Sequence, residues 1–137
     1  MGEVRVRARL VNHYDELKAR FGEIPLDRVR TYEADAMVDT GAVRMIVPQH
    51  VLERLGVGTN RGAVAEYADG RKDAVRVSDG ITVDIMGRLT LDEALVLGDE
   101  VLIGQTVLEK LDLLVDCHEQ RVVPNPAHPD QPVSKVK

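Results

Sequence analysis

Apolar and polar residues alternate near the start of the chain: Val4, Val6, Ala8 and Leu10 share one side and Arg5, Arg7 and Arg9 the other, predicting a strand with one buried face. The period then changes. Tyr14, Leu17, Lys18 and Phe21 are spaced as on a helix that Asn12 caps and Gly22 stops, and Pro25 opens a second turn reaching Val29. Thr31 to Val38 reads again as a strand, followed by a short one at Met45 to Val47. Pro48, the apolar face Val51, Leu52 and Leu55, and Gly56 beyond it define a compact helix. Ala68-Asp69-Gly70-Arg71 predicts a hairpin with a type I′ turn at Asp69-Gly70 and arms at Val64 to Tyr67 and Ala74 to Val77. Ile81, Val83 and Ile85 alternate with polar neighbours, and Ala94 to Leu97 is an apolar run; both read as strands. Val101 to Ile103 leads through Gly104 into a second helix, and Leu113 to Val115 with Arg121 to Val123 form the last strands. Many short strands with two short helices place the chain in the all-β class, as a closed barrel or sandwich. Pro124, Pro126, Pro129 and Pro132 predict an extended tail over 124–137, since proline density prevents a regular ladder.

The 137 residues are most simply one domain, residues 1–123, ahead of that tail. With one Phe, three Tyr and no Trp, its core must be aliphatic. A net charge of −5, with basic residues interleaved among acids, argues against nucleic-acid binding, which needs a clustered basic stripe. Arg5, Arg7 and Arg9 read as the solvated face of a half-buried strand. No apolar run has the roughly twenty residues of a membrane span, and the first ten residues lack a signal-peptide core, so a cytoplasmic protein without membrane association is expected. Cys117 is the single cysteine, which excludes an intrachain disulfide and suits a reducing compartment.

The chemistry centres on Asp39-Thr40-Gly41-Ala42, which the apolar pair Met37 and Val38 precedes. Downstream, Leu102-Ile103-Gly104 is followed by Val107-Leu108-Glu109-Lys110-Leu111-Asp112. That segment echoes Val51-Leu52-Glu53-Arg54-Leu55-Gly56 after the first motif. The chain thus holds a degenerate internal repeat in which only the first copy keeps a carboxylate. The combination resembles the retropepsin-like aspartic proteases, and their bacterial members in particular, over roughly Ala34 to Val123. Relative to that family, residues 12–30 look like an insertion.

The resemblance implies a retropepsin-like barrel with a flap hairpin and a homodimer in which Asp39 of each chain meets across a two-fold axis. It implies an aspartic endopeptidase acting on peptides or proteins with no cofactor or metal. Asp39, Thr40 and Gly41 would form the catalytic loop: Asp39 shares a proton with its counterpart, Thr40 braces the partner's loop, and Gly41 permits the tight turn. Ala42 and the flap residues Tyr67, Ala68, Asp69 and Gly70 would contact substrate. Gln105 stands where viral members commonly carry an Arg that helps hold the dimer. The rival reading is a non-catalytic dimeric module that keeps the groove for peptide binding or assembly. Other constellations are weak: the four histidines lack a paired metal spacing, Asp116, His118 and Glu119 alternate across a strand, and neither Ser78 nor Ser134 sits in a Gly-flanked elbow.

Overall fold

A long first strand, β1 (Val4–Asn12), pairs on both sides: antiparallel with β2 (Thr31–Val38) over its whole length, and with β6 (Ile81–Ile85) at its far end. The alternation that predicts it holds, with Ala8 and Leu10 fully buried and Arg5, Arg7 and Arg9 outward. The computed structural model describes residues 3–137. Around this centre run β3 (Ile46–Val47), β4 (Thr59–Glu66), β5 (Lys72–Ser78), β7 (Arg88–Asp92), β8 (Leu95–Val96) and β9 (Leu102–Ile103). They form one curled sheet in the order β4-β5-β8-β3-β9-β2-β1-β6-β7. A separate hairpin, β10 (Leu113–Asp116) with β11 (Arg121–Pro124), follows. The fold is mostly β, a half-barrel of retropepsin type.

Three helices accompany the sheet. α1 (His13–Arg20) is capped by Asn12, whose Oδ1 accepts the Asp15 N–H at 3.0 Å, as the spacing predicts. α2 (Gln49–Leu55) and α3 (Gln105–Leu111) realise the internal repeat. Each is short, each follows a two-residue strand, and each buries the matching triplet: Val51, Leu52 and Leu55, or Val107, Leu108 and Leu111. Each also ends on a left-handed residue, Gly56 in the first copy and Asp112 in the second. The core these helices close is aliphatic throughout, with Leu10, Met45, Ile81, Ile85 and Ile103 fully enclosed.

Two turns exchange roles relative to expectation. Asp69-Gly70 does not form a type I′ turn: Gly70 alone takes positive φ (+89°), and its N–H donates to the Tyr67 carbonyl at 2.9 Å. The loop is therefore a β-turn over Ala68 and Asp69 followed by a left-handed glycine, closed by Tyr67 N–H to the Arg71 carbonyl at 2.8 Å. Positive φ at both central residues occurs instead at Met86 (57°) and Gly87 (79°), joining β6 to β7, a strand the sequence pattern hides. The Asp84 carboxylate compensates by accepting the Gly87 N–H at 3.0 Å. β7 escapes a pattern-based reading because its faces are inverted. Leu89 and Leu91 are exposed, while Arg88 is buried and donates to the carbonyls of Leu111, Asp112 and His128 at 2.7–3.0 Å.

Residues 12–30 leave the sheet and return, and a buried charge fixes the return. Asp15, only 4% exposed in its side chain, accepts Arg30 Nε at 2.8 Å, Nη2 at 3.0 Å and the Arg30 backbone N–H at 3.1 Å. Hydrogen bonding from the Arg30 side chain is the main cause that holds the Asp15 carboxyl below the usual carboxylate range. A folded-state pKa below the unfolded one adds stability above the unfolded value, about 3.9, and that stability is lost as pH falls through the folded one. Asp15→Asn is thus expected to cost about 1–3 kcal/mol at pH 7. The gap to the native protein should close progressively below about pH 4. Urea unfolding of both proteins at pH 7 and pH 3 measures it; a gap that stays constant would refute the linkage.

Candidate active site

The backbone that carries Asp39 is fixed from below before its side chain does anything. β2 runs parallel to β9, with Met37 opposite Leu102 and Val38 opposite Ile103. Asp39 N–H then donates to the Ile103 carbonyl at 3.0 Å, extending that pairing by one residue. The chain turns at once: Ala42 N–H reaches the Asp39 carbonyl at 3.1 Å, and Gly41 N–H donates to Asp39 Oδ1 at 2.9 Å. A hydrogen bond of this kind orients the carboxylate. The second carboxylate oxygen of Asp39 and the Thr40 hydroxyl have no hydrogen-bond partner among the described residues, and Asp39, Thr40 and Gly41 are all exposed.

The second half of the repeat supplies the support. The first two amides of α3 donate into the loop, Gln105 N–H to the Ala42 carbonyl at 2.7 Å and Thr106 N–H to the Val43 carbonyl at 3.0 Å. Gly104 makes that approach possible. A Cβ there would lie 2.7 Å from the Arg44 carbonyl oxygen and 2.8 Å from that of Ala42, both rigid backbone atoms. The apolar-apolar-glycine motif therefore lies beneath the loop, and the Gln105 backbone takes part in the brace. The Gln105 side chain does not; it bonds Glu109 at 3.1 Å.

Beside the loop opens a cleft of about 390 Å³. One wall is Gly41, Ala42, Val43 and Arg44; the other is the end of β4, Val64, Ala65 and Glu66, with Tyr67; Ile46, Leu95 and Leu97 complete it. The structure thus brings Gly41, Ala42 and Tyr67 to one cavity. Asp39 and Thr40 lie at the loop apex outside its lining, as do Ala68, Asp69 and Gly70 at the hairpin tip. Sequence reasoning missed Val43, Arg44, Val64 and Glu66. Val43 and Arg44 directly follow the motif, which is the signal that would have included them. The exposed apolar Val43 and Val64 give the cleft an aliphatic mouth, 68% and 67% accessible.

The hairpin is internally braced. Tyr67 Oη donates to Asp73 Oδ2 at 2.9 Å, the Arg71 guanidinium stacks 4.7 Å from the Tyr67 ring, and Asp69 accepts both the backbone and the side chain of Arg71. Those two Arg71 donors hold the Asp69 carboxyl below its ordinary value, and the Asp73 carboxylate raises the Tyr67 phenol. At its base, Arg61 forms a bidentate pair with Glu93 at 2.8 and 2.9 Å. Hydrogen bonding from Arg61 is the largest influence that brings the Glu93 carboxyl down to about 2. Asp116, weighed as a metal ligand on sequence grounds, accepts the backbone N–H groups of His118 and Glu119 and so closes the β10–β11 turn.

A family model described as "gag-polyprotein putative aspartyl protease" matches residues 28–110, from the return of the first excursion through most of α3. No curated protein matches the chain.

Proposed function

We propose, because the chain belongs to the gag-polyprotein aspartyl protease family, that it is an aspartic endopeptidase whose active site forms when two copies bring their Asp39 loops together. The observation that supports this most directly is the loop itself. Asp39 is presented outward on a braced turn with one carboxylate oxygen held by Gly41 N–H and the other unpartnered among the described residues, beside an unpaired Thr40 hydroxyl. One carboxylate cannot both accept a proton from water and donate one to a carbonyl. Two at about 3 Å can, because like charges that close share a single proton.

In the proposed reaction the ionised Asp39 takes a proton from water as the water oxygen bonds to the scissile carbonyl carbon. The protonated Asp39 of the other copy gives its proton to the carbonyl oxygen, leaving a neutral tetrahedral diol. The Asp39 protonated in the first step then gives its proton to the amide nitrogen while the now ionised Asp39 of the other copy takes a proton from a diol hydroxyl. The C–N bond breaks, an acid and an amine leave, and the pair again holds one proton. Thr40 of each copy would donate across the interface and hold the two loops against the repulsion of their carboxylates. The β4–β5 hairpin would cover the peptide in the cleft, since the Ala68 amide at its tip has no acceptor among the described residues and is free to meet a substrate backbone. Covering the site excludes bulk water from the proton-sharing pair.

A site built from two chains has a kinetic signature. When the protein is diluted through its dimer dissociation constant, cleavage per chain should fall, and below that constant the rate should scale with the square of concentration. Fluorogenic peptide cleavage across a dilution series, with sedimentation in parallel, measures it. Constant activity per chain in a protein that sediments as a monomer would overturn the two-chain site. Dimers that cut no peptide would favour the non-catalytic module.

A further inference from the structure

We propose that Arg44 makes the cleft a subsite for an acidic residue, so that the preferred peptides carry Glu or Asp beside the aliphatic side chains that fit Val43, Ile46 and Val64. The inference rests on the proposed peptide-binding site and deepens it by naming a substrate class. Its basis is an imbalance of charge in an otherwise aliphatic cavity. Arg44 is half-buried, lines the cleft two residues after Ala42, and makes one long side-chain hydrogen bond, Nη2 to the Glu93 backbone carbonyl at 3.4 Å.

A guanidinium has five N–H donors, so four of those of Arg44 lack a protein acceptor among the described residues. The nearby Glu93 carboxylate attracts Arg44 but makes no hydrogen bond to it; its two oxygens accept from Arg61 at 2.8 and 2.9 Å. Arg61 is thereby paired directly, whereas Arg44 reaches Glu93 by hydrogen bond only at its backbone carbonyl. The cleft's single carboxylate, Glu66, is exposed at the end of β4 and lies opposite Lys72 in the β4–β5 register. Arg44, by contrast, immediately precedes the buried Met45 on the side of the cleft that carries the Asp39 loop.

In the open cleft, water satisfies Arg44. Once a peptide and the hairpin exclude that water, an unpaired guanidinium costs its desolvation, and a peptide that offers a carboxylate removes the cost. A site that strands a polar group against the wrong ligand discriminates more sharply than one that merely rewards the right ligand.

The test uses octapeptides with aliphatic central residues and a hydroxyethylene group in place of the scissile bond, so that binding is measured without turnover. At each flanking position a Glu series is compared with a Gln series on the native protein by calorimetry. At one position Glu should bind at least about fivefold more tightly than Gln. The preference should shrink as salt rises toward about 1 M. It should vanish in Arg44→Gln and persist in Arg44→Lys. No position favouring Glu, a preference that survives Arg44→Gln, or no binding by either series would each overturn the subsite. Failure of the protease reading is separate: a protein that binds the Glu series by way of Arg44 yet cleaves none of the corresponding natural peptides keeps the subsite and loses the enzyme.

Discussion

Asp39→Asn should lower peptide cleavage by at least about 10²–10⁴-fold, the contribution expected of a positioned general base, while leaving the fold intact. The separation of the two effects follows from the geometry. Asp39 is exposed, and its one side-chain bond among the described residues is from Gly41 N–H at 2.9 Å, which an Asn carbonyl oxygen still accepts. Stability should change by no more than about 0.5 kcal/mol, as for an ordinary surface substitution. The amide removes the chemistry at both positions of the pair at once, because each copy supplies one. Mixing variant and native chains therefore gives a second readout: if mixed dimers are inactive, total activity falls as the square of the native fraction. Steady-state cleavage and urea unfolding on the same preparations decide the matter. Undiminished cleavage by a folded Asp39→Asn protein would remove Asp39 from the reaction.

The parts of the fold that show in the sequence are those set by one dominant local force. β1 is legible because Ala8 and Leu10 bury against the core while Arg5, Arg7 and Arg9 take the solvent, a period of two with nothing competing. α2 and α3 are legible twice over, from the Val-Leu-x-x-Leu face and from their repetition. β7 is not, since its large apolar residues face outward and its buried side chain is an arginine satisfied by backbone carbonyls from three distant positions. No local pattern encodes a guanidinium whose partners are carbonyls. The same limit applies to the last residues. Pro124 still ends β11 opposite Leu113, and no ladder continues past it, but residues 125–133 are also tied down, and Asp112 does the tying. Its carboxylate accepts Asn125 Nδ2, His128 Nδ1 and Val133 N–H at 2.6–3.0 Å. Those contacts, Asn125 first, keep the Asp112 carboxyl below its ordinary value. Asp112 occupies the left-handed position that Gly56 holds in the first copy, so the second helix ends in a residue that both tolerates that conformation and anchors the C-terminal segment.

At the site, the motif was legible and its surroundings were not. Asp39, Thr40 and Gly41 announce themselves as a triplet, and Gly104 by its place in the repeat. The cleft, however, is assembled from β2's loop, β3, β4 and β8, and the pairing that brings them together, Ile46 beside Leu95 and Arg76 beside Val96, depends on long-range register. That is why Val64 and Glu66 emerge only in three dimensions. The hairpin tip shows the opposite error. Asp69-Gly70 carries a strong turn signal, yet the turn takes the three-residue form, and of the tip residues expected to touch substrate only Tyr67 lines the cavity in the single chain.

Gly104→Ala tests whether the degenerate half of the repeat serves the catalytic half. Gly104 has ordinary negative φ (−97°), so the substitution meets no backbone penalty of its own, and its entire effect is steric. The new methyl would sit 2.7 and 2.8 Å from the carbonyl oxygens of Arg44 and Ala42, and neither is a flexible side chain that can swing aside. Relief requires the loop and the start of α3 to separate, which stretches the Gln105 N–H bond to Ala42 and the Thr106 N–H bond to Val43. Overpacking of this kind costs about 1–3 kcal/mol. The larger consequence is positional: a shift of about 1 Å in a reacting group is enough to cost about 10²-fold in rate. Gly104→Ala should therefore remain folded in dilute buffer, lose stability by that amount, and cleave peptide about 10²-fold more slowly even when the folded population is held saturated. Gly62→Ala is the control. It adds a methyl to a glycine of β4, but the nearest atom, the Val75 carbonyl oxygen, lies 3.7 Å away, so cleavage should be preserved. If Gly104→Ala cuts as fast as the control, the Asp39 loop does not depend on the close approach of α3, and its geometry must be held by the β2–β9 pairing and the Gly41 turn alone.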